Sequence, residues 1–143
     1  NSAVKNNPNA LEITKTDEKI IEEYLDIKTN DISRSNSGGK MYSSYKVLGT
    51  DSDKVYVWMV KMEYLKQDEK FTNGVSIPVV LYIENKGNII DIKSHKIAGN
   101  GIESDNESLK KLFPQNIRAE MVKVDNELID KLQETIRTRA KST

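Results

Sequence analysis

The stretch KVYVWMVKMEYLK, residues 54–66, alternates valine with aromatic and other apolar residues and decides the fold. Three similar runs surround it: MYSSYKVLG (41–49), GVSIPVVLYIEN (74–85) and NIIDIKSHKI (88–97). β-branched and aromatic residues of this kind favour strands. The intervening segments TDSD, QDEKFTN and KG are short, and short connections are typical of antiparallel neighbours. We therefore predict a four-stranded antiparallel meander in the order 1-2-3-4.

The apolar rows of these strands predict a register, because a slip of one residue moves every side chain to the other face. In strand two the predicted core row is Tyr56, Trp58, Val60, Met62 and Tyr64, and in strand three it is Val75, Ile77, Val79, Leu81 and Ile83. Aligning the rows pairs Trp58 with Ile83. A turn at Lys86 and Gly87 then sets Ile83 opposite Ile90, and Val47 meets Tyr56 at the other edge.

The same register predicts a second, open face with a small apolar centre and a polar rim. Its members are Tyr42, Ser44, Lys46, Val57, Met59, Lys61, Glu63, Pro78, Val80, Tyr82, Asp91, Lys93 and His95. We take Tyr42, Met59, Lys61, Glu63, Val80, Tyr82 and His95 as the candidate binding residues, because an exposed apolar patch can mark a partner site. Glu63, Pro78 and His95 are expected in one row. The alternative is that a helix covers this face too.

Three helices are expected around the sheet. The first spans Asp17 to Lys28 with Thr16 as its N-cap, and the second starts at a capping box of Ser104 and Glu107 and ends at Pro114. The third is one long amphipathic helix through Ile117, Met121, Val124, Leu128, Leu132 and Ile136. We predict an α+β fold with the helices packed on one face, and a cystatin-like or related arrangement is the nearest comparison.

Length and composition limit the organisation. The 143 residues suit one domain, expected over residues 16–140 after a flexible polar lead of residues 1–15. That lead suits a mature amino terminus, a spacer after a lipid anchor, or a frayed end. Lys plus Arg and Asp plus Glu number 22 each, which disfavours a nucleic-acid partner, and no apolar stretch approaches the roughly 20 residues of a membrane span.

Catalytic and metal sites have weak support in the residues. His95, the only histidine, could form a general acid/base pair with Glu63, but a solvated sheet residue is the favoured interpretation. With one histidine and no cysteine, metal binding would rest on Asp51 with Asp53 or on the acidic cluster Glu103, Asp105 and Glu107, and neither fits the EF-hand spacing. We predict no metal and no cofactor.

The loop Ala98 to Asp105 follows the last strand and is the second candidate binding element. Its Gly99, Asn100 and Gly101 precede a helix start, where backbone amides could bind an anion. The loop lacks the Walker lysine-threonine ending and the dinucleotide-binding glycine spacing. A plain strand-to-helix connection is the favoured interpretation of its glycines.

Five segments between Tyr45 and Ile117 follow one another in a recognisable order: YKVLGT, VYVWMVKMEY, GVSIPVVLYIE, IKSHKI and LKKLFPQNI. In these segments the chain resembles a family of small extracytoplasmic domains of Gram-positive bacteria. Many members of that family are predicted lipoproteins, and relatives are attached to membrane-bound metallopeptidases of the beta-lactam-sensor type. Where the family usually reads Pro-Arg-Asp-Gly-Ser, this chain has Ala98-Gly99-Asn100-Gly101-Ile102. The resemblance implies a location outside the cytoplasmic membrane and a non-enzymatic role.

Together these patterns predict an extracytoplasmic binding or accessory module, tethered to the outer face of the cytoplasmic membrane, for a protein or cell-envelope ligand. Two other classes stay open. One is a hydrolase-type enzyme built on His95 with Glu63 and Tyr82. The other is a structural spacer or dimerisation domain.

Overall fold

A computed structural model of the chain describes residues 11–99 and 106–143. Within these ranges the fold is α+β, as the sequence predicts, with four helices and one four-stranded sheet. The helices are α1 (Lys15–Ile27), α2 (Asn106–Leu112), α3 (Gln115–Val122) and α4 (Asn126–Lys141). The strands are β1 (Lys40–Asp51), β2 (Lys54–Leu65), β3 (Lys70–Lys86) and β4 (Ile89–Lys96).

The sheet is an antiparallel meander in the order β1-β2-β3-β4, which confirms the predicted topology. Lys86 pairs with Ile89, so the last turn consists of Gly87 and Asn88. Gly87 has φ +71, a conformation that glycine adopts without steric cost. β3 is 17 residues long and β4 only 8, so a large part of β3 extends beyond its neighbour.

The predicted register is wrong. Trp58 pairs with Pro78 instead of Ile83, and Ile83 pairs with Ile92 instead of Ile90. Val47 pairs with Val57 instead of Tyr56. Between β2 and β3 the cause is that β3 begins at Lys70, inside a segment predicted as a loop, so the turn after Leu65 is short.

Both faces of the sheet are covered, which corrects the prediction that the helices pack on one face. On the first, the α1 face, Ile21 and Leu25 of α1 pack against Val55, Val57, Met59, Ile77, Val79 and Leu81. On the second, the α4 face, α4 covers Tyr42, Val60 and Tyr64, while Phe113 and Ile117 cover Leu48, Tyr56 and Val80. Both alternating rows of β2 and β3 are apolar, so each row needs its own cover.

The helix boundaries also differ from the expected ones. Thr14, not Thr16, caps α1: its hydroxyl accepts from the Asp17 N–H at 3.1 Å, and the Asp17 carboxylate accepts from the Thr14 N–H at 3.2 Å. The predicted long helix is two helices, because Asp125 caps α4 by accepting from the Leu128 N–H at 2.9 Å. The proposed box at Ser104 lies outside the described residues. No described helix has both the length and the apolar composition to cross a membrane.

Candidate functional site

The predicted open face does not exist as one surface. Met59 is fully buried on the α1 face, and Val80 is fully buried on the α4 face beneath Phe113 and Ile117. The expectation that both side chains are exposed is wrong, because helical residues cover both faces of the sheet. The register error accounts for their predicted placement on one face. Met59, Lys61, Glu63 and His95 do share the α1 face.

The two tyrosines among the candidates belong to the α4 face. Tyr42 is buried, its hydroxyl lies 2.9 Å from the Thr143 hydroxyl, and its ring centre lies 5.3 Å from the Arg139 guanidinium. Tyr82 is half-buried beside Val80, with the Lys54 ammonium 5.9 Å from its ring centre. Tyr42 is therefore a core residue, and only Tyr82 retains exposed area.

Glu63 is fully buried, and its carboxylate is enclosed by the loop between α1 and β1. Four donors point at its oxygens: the Ser35 hydroxyl at 2.6 Å and the N–H groups of Asn36, Ser37 and Gly39 at 2.9, 3.0 and 2.7 Å. Led by the Ser35 hydrogen bond, these donors lower the pKa of Glu63 to about 2. Glu63 therefore fixes the loop in place and has no room for a ligand.

Lys61 is also fully buried, two residues before Glu63 on the same face. Its ammonium donates to the Thr29 hydroxyl at 2.9 Å, and that hydroxyl donates to the Leu25 carbonyl at 2.6 Å. Burial lowers the pKa of Lys61 to about 8, against the opposing influence of Asp26 and Asp31. Lys61 is thus a buried cation beneath α1, and it does not line a surface.

His95 lies opposite Leu81 and faces α1. The prediction that it points into solvent is wrong. Its Nδ1 atom is 2.7 Å from the Tyr24 hydroxyl, and its Nε2 atom is 2.8 Å from an Asp31 carboxylate oxygen. The imidazole thereby connects β4 to α1 and to the loop that follows α1. The expected row of Glu63, Pro78 and His95 is wrong, because these residues pair with Asn73, Trp58 and Leu81.

The geometry gives the acid/base pair no support. Both ring nitrogens of His95 contact Tyr24 and Asp31, and both oxygens of Glu63 accept from the loop at residues 35–39. Within the described ranges, no group of three or more histidine, aspartate or glutamate residues could hold a metal ion. Gly99 is exposed with φ +54, while Asn100 and Gly101 lie outside the described residues.

The two edges of the sheet differ sharply. At the β1 edge, Asp26 accepts from the Ser43 N–H at 2.7 Å and Arg139 donates to the Ser43 carbonyl at 2.7 Å, so side chains occupy both outward backbone groups of Ser43 near the middle of the strand. On the other side, β4 pairs only with Val80–Lys86. In the part of the chain that the structure describes, residues 70–77 of β3 have no strand partner other than β2, and we call their outward side the open edge. The sequence prediction missed it because residues 70–73 were read as loop, although Phe71 and Thr72 are typical strand residues.

A cleft of about 370 Å³ lies beside the open edge. It is lined by Val60, Met62, residues 71–76 of β3 and Gln133 of α4. Its floor lacks a side chain at Gly74, where a Cβ atom would come within 2.8 Å of the Lys61 carbonyl oxygen. Trp58, the only tryptophan, is half-buried on this face and donates from Nε1 to the Ser76 hydroxyl at 2.8 Å.

Comparisons with models of known protein families, with curated protein sequences and with solved structures found no match for this chain. The resemblance to the extracytoplasmic family stays a prediction. Within the described residues, the outward side of residues 70–77 of β3 and the cleft beside it form one surface that the packing of the helices on the sheet leaves uncovered.

Proposed function

We propose that this chain is a non-enzymatic binding or accessory module that acts outside the cytoplasmic membrane on a protein or cell-envelope ligand. The observation that carries the proposal is the contrast between the two sheet edges. An ion pair occupies the outward N–H and carbonyl of Ser43 on the β1 edge, whereas residues 70–77 of β3 keep an open edge beside a cleft. Open strand edges readily pair with other chains, so folded proteins usually cover them.

The extracytoplasmic location and the tether rest on the family resemblance and on the polar sequence of residues 1–15. Protease treatment of intact host cells tests the location directly. We expect external protease to degrade the chain while a cytoplasmic marker protein survives. Protection of the chain until the cells are lysed would contradict this part of the proposal.

Binding is tested with two probes from a Gram-positive cell envelope: insoluble peptidoglycan and membrane vesicles with their proteins. Saturable co-sedimentation of the purified chain with one probe supports a binding module, and pretreating the vesicles with trypsin separates a protein ligand from a lipid or glycan. If neither probe retains the chain saturably, the proposal is contradicted.

The hydrolase alternative is tested on the same purified chain with chromogenic ester, peptide and glycoside substrates. We expect no turnover above buffer, because His95 and Glu63 are each enclosed in separate hydrogen-bond networks. Turnover that disappears in His95→Ala would establish the alternative instead. The mass of the chain in solution tests the third class, since a dimer formed without any ligand would favour a dimerisation domain.

A further inference from the structure

We propose that the open edge of β3 takes an extended segment of a partner polypeptide by strand addition, and that this segment places an aromatic side chain over Gly74 into the adjoining cleft. This inference rests on the proposed function, because it names the ligand class of a binding module. The arrangement follows from three features: the direction of the backbone groups, the shape of the cleft and the charges at its two ends.

The backbone of the open edge has hydrogen-bonding groups available to a partner. The Ile83 N–H donates toward β2, to the Asp53 carbonyl at 3.0 Å, and the β2–β3 register is regular from Tyr82 to Asn73. Because N–H directions alternate along a strand, those of Gly74 and Ser76 point away from β2. The next outward position is Pro78, which has no N–H to donate. It lies two residues before Val80, where the pairing with β4 ends.

The cleft determines which side chain the added strand should carry. Gly74 and Ser76 lie on the α4 face opposite Met62 and Val60, so the sheet surface is low there between Phe71 and α4. Directly opposed residues on neighbouring strands have Cβ atoms about 4.5–5.5 Å apart and share a face. An aromatic residue opposite Gly74 would therefore cover the glycine and pack on apolar walls, the arrangement known to stabilise strand glycines.

A second copy of this chain fits the edge poorly. Two copies related by a two-fold axis can pair only residues of the same face. In the three central registers Gly74 would meet Gly74, Thr72 or Ser76 of the second copy, and each of these is too small to fill the cleft. The geometry therefore favours a different polypeptide with a large side chain at the central position.

Charge adds the third feature. In the half of β3 that β4 covers, Lys86 and Lys93 form ion pairs with Asp91 at 3.2 and 2.7 Å. Lys70 is the first residue of the open edge, and Lys96 ends β4 opposite Val80, three residues past the other end of that edge. Neither lysine has a carboxylate within 4.0 Å in the part of the chain that the structure describes. An added strand with an acidic residue near each end would complement them.

The test uses capped heptapeptides of the sequence Glu-Thr-Val-Xaa-Val-Thr-Glu, in which Xaa is Phe or Ala, and a third peptide with Phe at Xaa and Lys at both ends. Because the peptides lack tryptophan, Trp58 fluorescence reports binding at the neighbouring edge. We expect the Phe peptide to bind about 10-fold or more tightly than the Ala peptide, the factor for burying one such side chain. The Lys-ended peptide should bind more weakly than the Glu-ended one.

Amide hydrogen exchange of the full chain locates the contact. The amides of Gly74 and Ser76 should gain protection with the Phe peptide, while the Ser43 amide, already bonded to Asp26, should not change. Unchanged exchange at Gly74 and Ser76 would overturn the inference. Protection that instead rises with protein concentration alone, together with a doubled mass, would assign the edge to a second copy and also overturn it.

A pair of variants at one position separates backbone from side-chain effects. Ser76→Pro removes the outward N–H, whereas Ser76→Ala keeps it and removes only the hydroxyl that binds Trp58. We expect Ser76→Pro to weaken Phe-peptide binding about 10-fold or more and Ser76→Ala to change it little. Equal effects of the two variants would overturn the backbone role.

If Ser76→Pro fails to fold, Gln133→Phe provides a second test by filling the cleft from α4 without altering β3, and it keeps Trp58 as the only tryptophan. It should remove the preference for Phe over Ala, and an unchanged preference would overturn the cleft assignment. Saturable retention on envelope probes combined with no peptide binding would refute this inference alone. Failure of retention would refute the proposed function and leave the peptide result to be judged separately.

Discussion

Arg139 of α4 and Asp26 of α1 form an ion pair around the edge of β1, with Nη2 and Oδ2 2.7 Å apart. The two helices lie on opposite faces of the sheet, so the pair joins the two layers that cover it. The Asp26 carboxylate also accepts from the Ser43 N–H, and the Arg139 guanidinium donates to the Ser43 carbonyl. One ion pair therefore both holds the helices together and blocks strand addition at β1.

We predict that Arg139→Met destabilises the fold by about 2–3 kcal/mol. This is below the roughly 3–5 kcal/mol for breaking a fully buried pair, because the Arg139 and Asp26 side chains retain 25% and 15% exposure. The substitution leaves Asp26 without its cation and the Ser43 carbonyl without its donor. Urea unfolding at pH 7 measures the change in free energy of unfolding.

Arg137→Met is the matched control on the same helix. Arg137 pairs with Glu134 at 3.1 Å, with 39% and 68% exposure, and exposed pairs of this kind contribute about 0.5 kcal/mol or less. If both variants lose a similar free energy of unfolding, the ion pair of Arg139 has no special role in stability. The Arg139 variant should also aggregate more readily, since it exposes the β1 edge.

The enclosed carboxylate of Glu63 predicts a loss of stability in acid. Its pKa is about 2 in the folded chain against an ordinary value of 4.5, so the folded state binds fewer protons than the unfolded state between these values. The contribution is complete above about pH 4.5 and is lost as the pH falls toward 2. Urea midpoints measured from pH 6 down to pH 2.5 should fall more steeply for the native chain than for Glu63→Gln.

Glu127→Gln is the control for this pH series. The Glu127 side chain is 79% exposed and lies 3.7 Å from Lys131, so its removal should leave the acid dependence nearly unchanged. If Glu63→Gln keeps the full acid dependence of the native chain, the carboxylate does not hold the loop in the manner described.

The type and order of the elements could be predicted from the sequence, but the register could not. Valine, isoleucine and aromatic residues identify all four strands, yet β2 is apolar on both of its faces. Hydrophobic alternation therefore cannot choose the parity of pairing, and an irregularity between Glu63 and Tyr64 shifts the register again. The start of β3 at Lys70 had a local signal in Phe71 and Thr72. The loop donors around Glu63 arise from tertiary packing, which no local pattern in the sequence records.

The buried ammonium of Lys61 predicts the opposite pH effect. Burial lowers its pKa from 10.5 to about 8, so between these values the unfolded chain binds more protons and stability rises with pH. At pH 7 the charged form is held at a cost in free energy. Lys61→Met should therefore stabilise the fold at pH 7 by about 1–3 kcal/mol, as apolar replacements of buried charges often do.

Urea unfolding of Lys61→Met and of the native chain between pH 7 and 9.5 measures this difference in the free energy of unfolding. The advantage of the variant should shrink as the pH rises, because the native lysine loses its proton. Lys66→Met is the control, since Lys66 is exposed at the start of the β2–β3 turn. A variant that is less stable than the native chain at every pH would show that the ammonium is net stabilising.

His95 predicts a local effect on the segment that follows α1. Its ring joins β4 to Tyr24 and to Asp31, and loss of two hydrogen bonds from a half-buried ring costs about 1–2 kcal/mol. In His95→Leu, amides of residues 28–33 should exchange faster, while those of the β2–β3 ladder should not. Tyr24→Phe removes only one of the two bonds and should give a smaller effect in the same amides, and the double variant should lose less than the sum of the two. Faster exchange across β4 with an unchanged segment 28–33 would show that His95 supports the sheet and not the segment after α1.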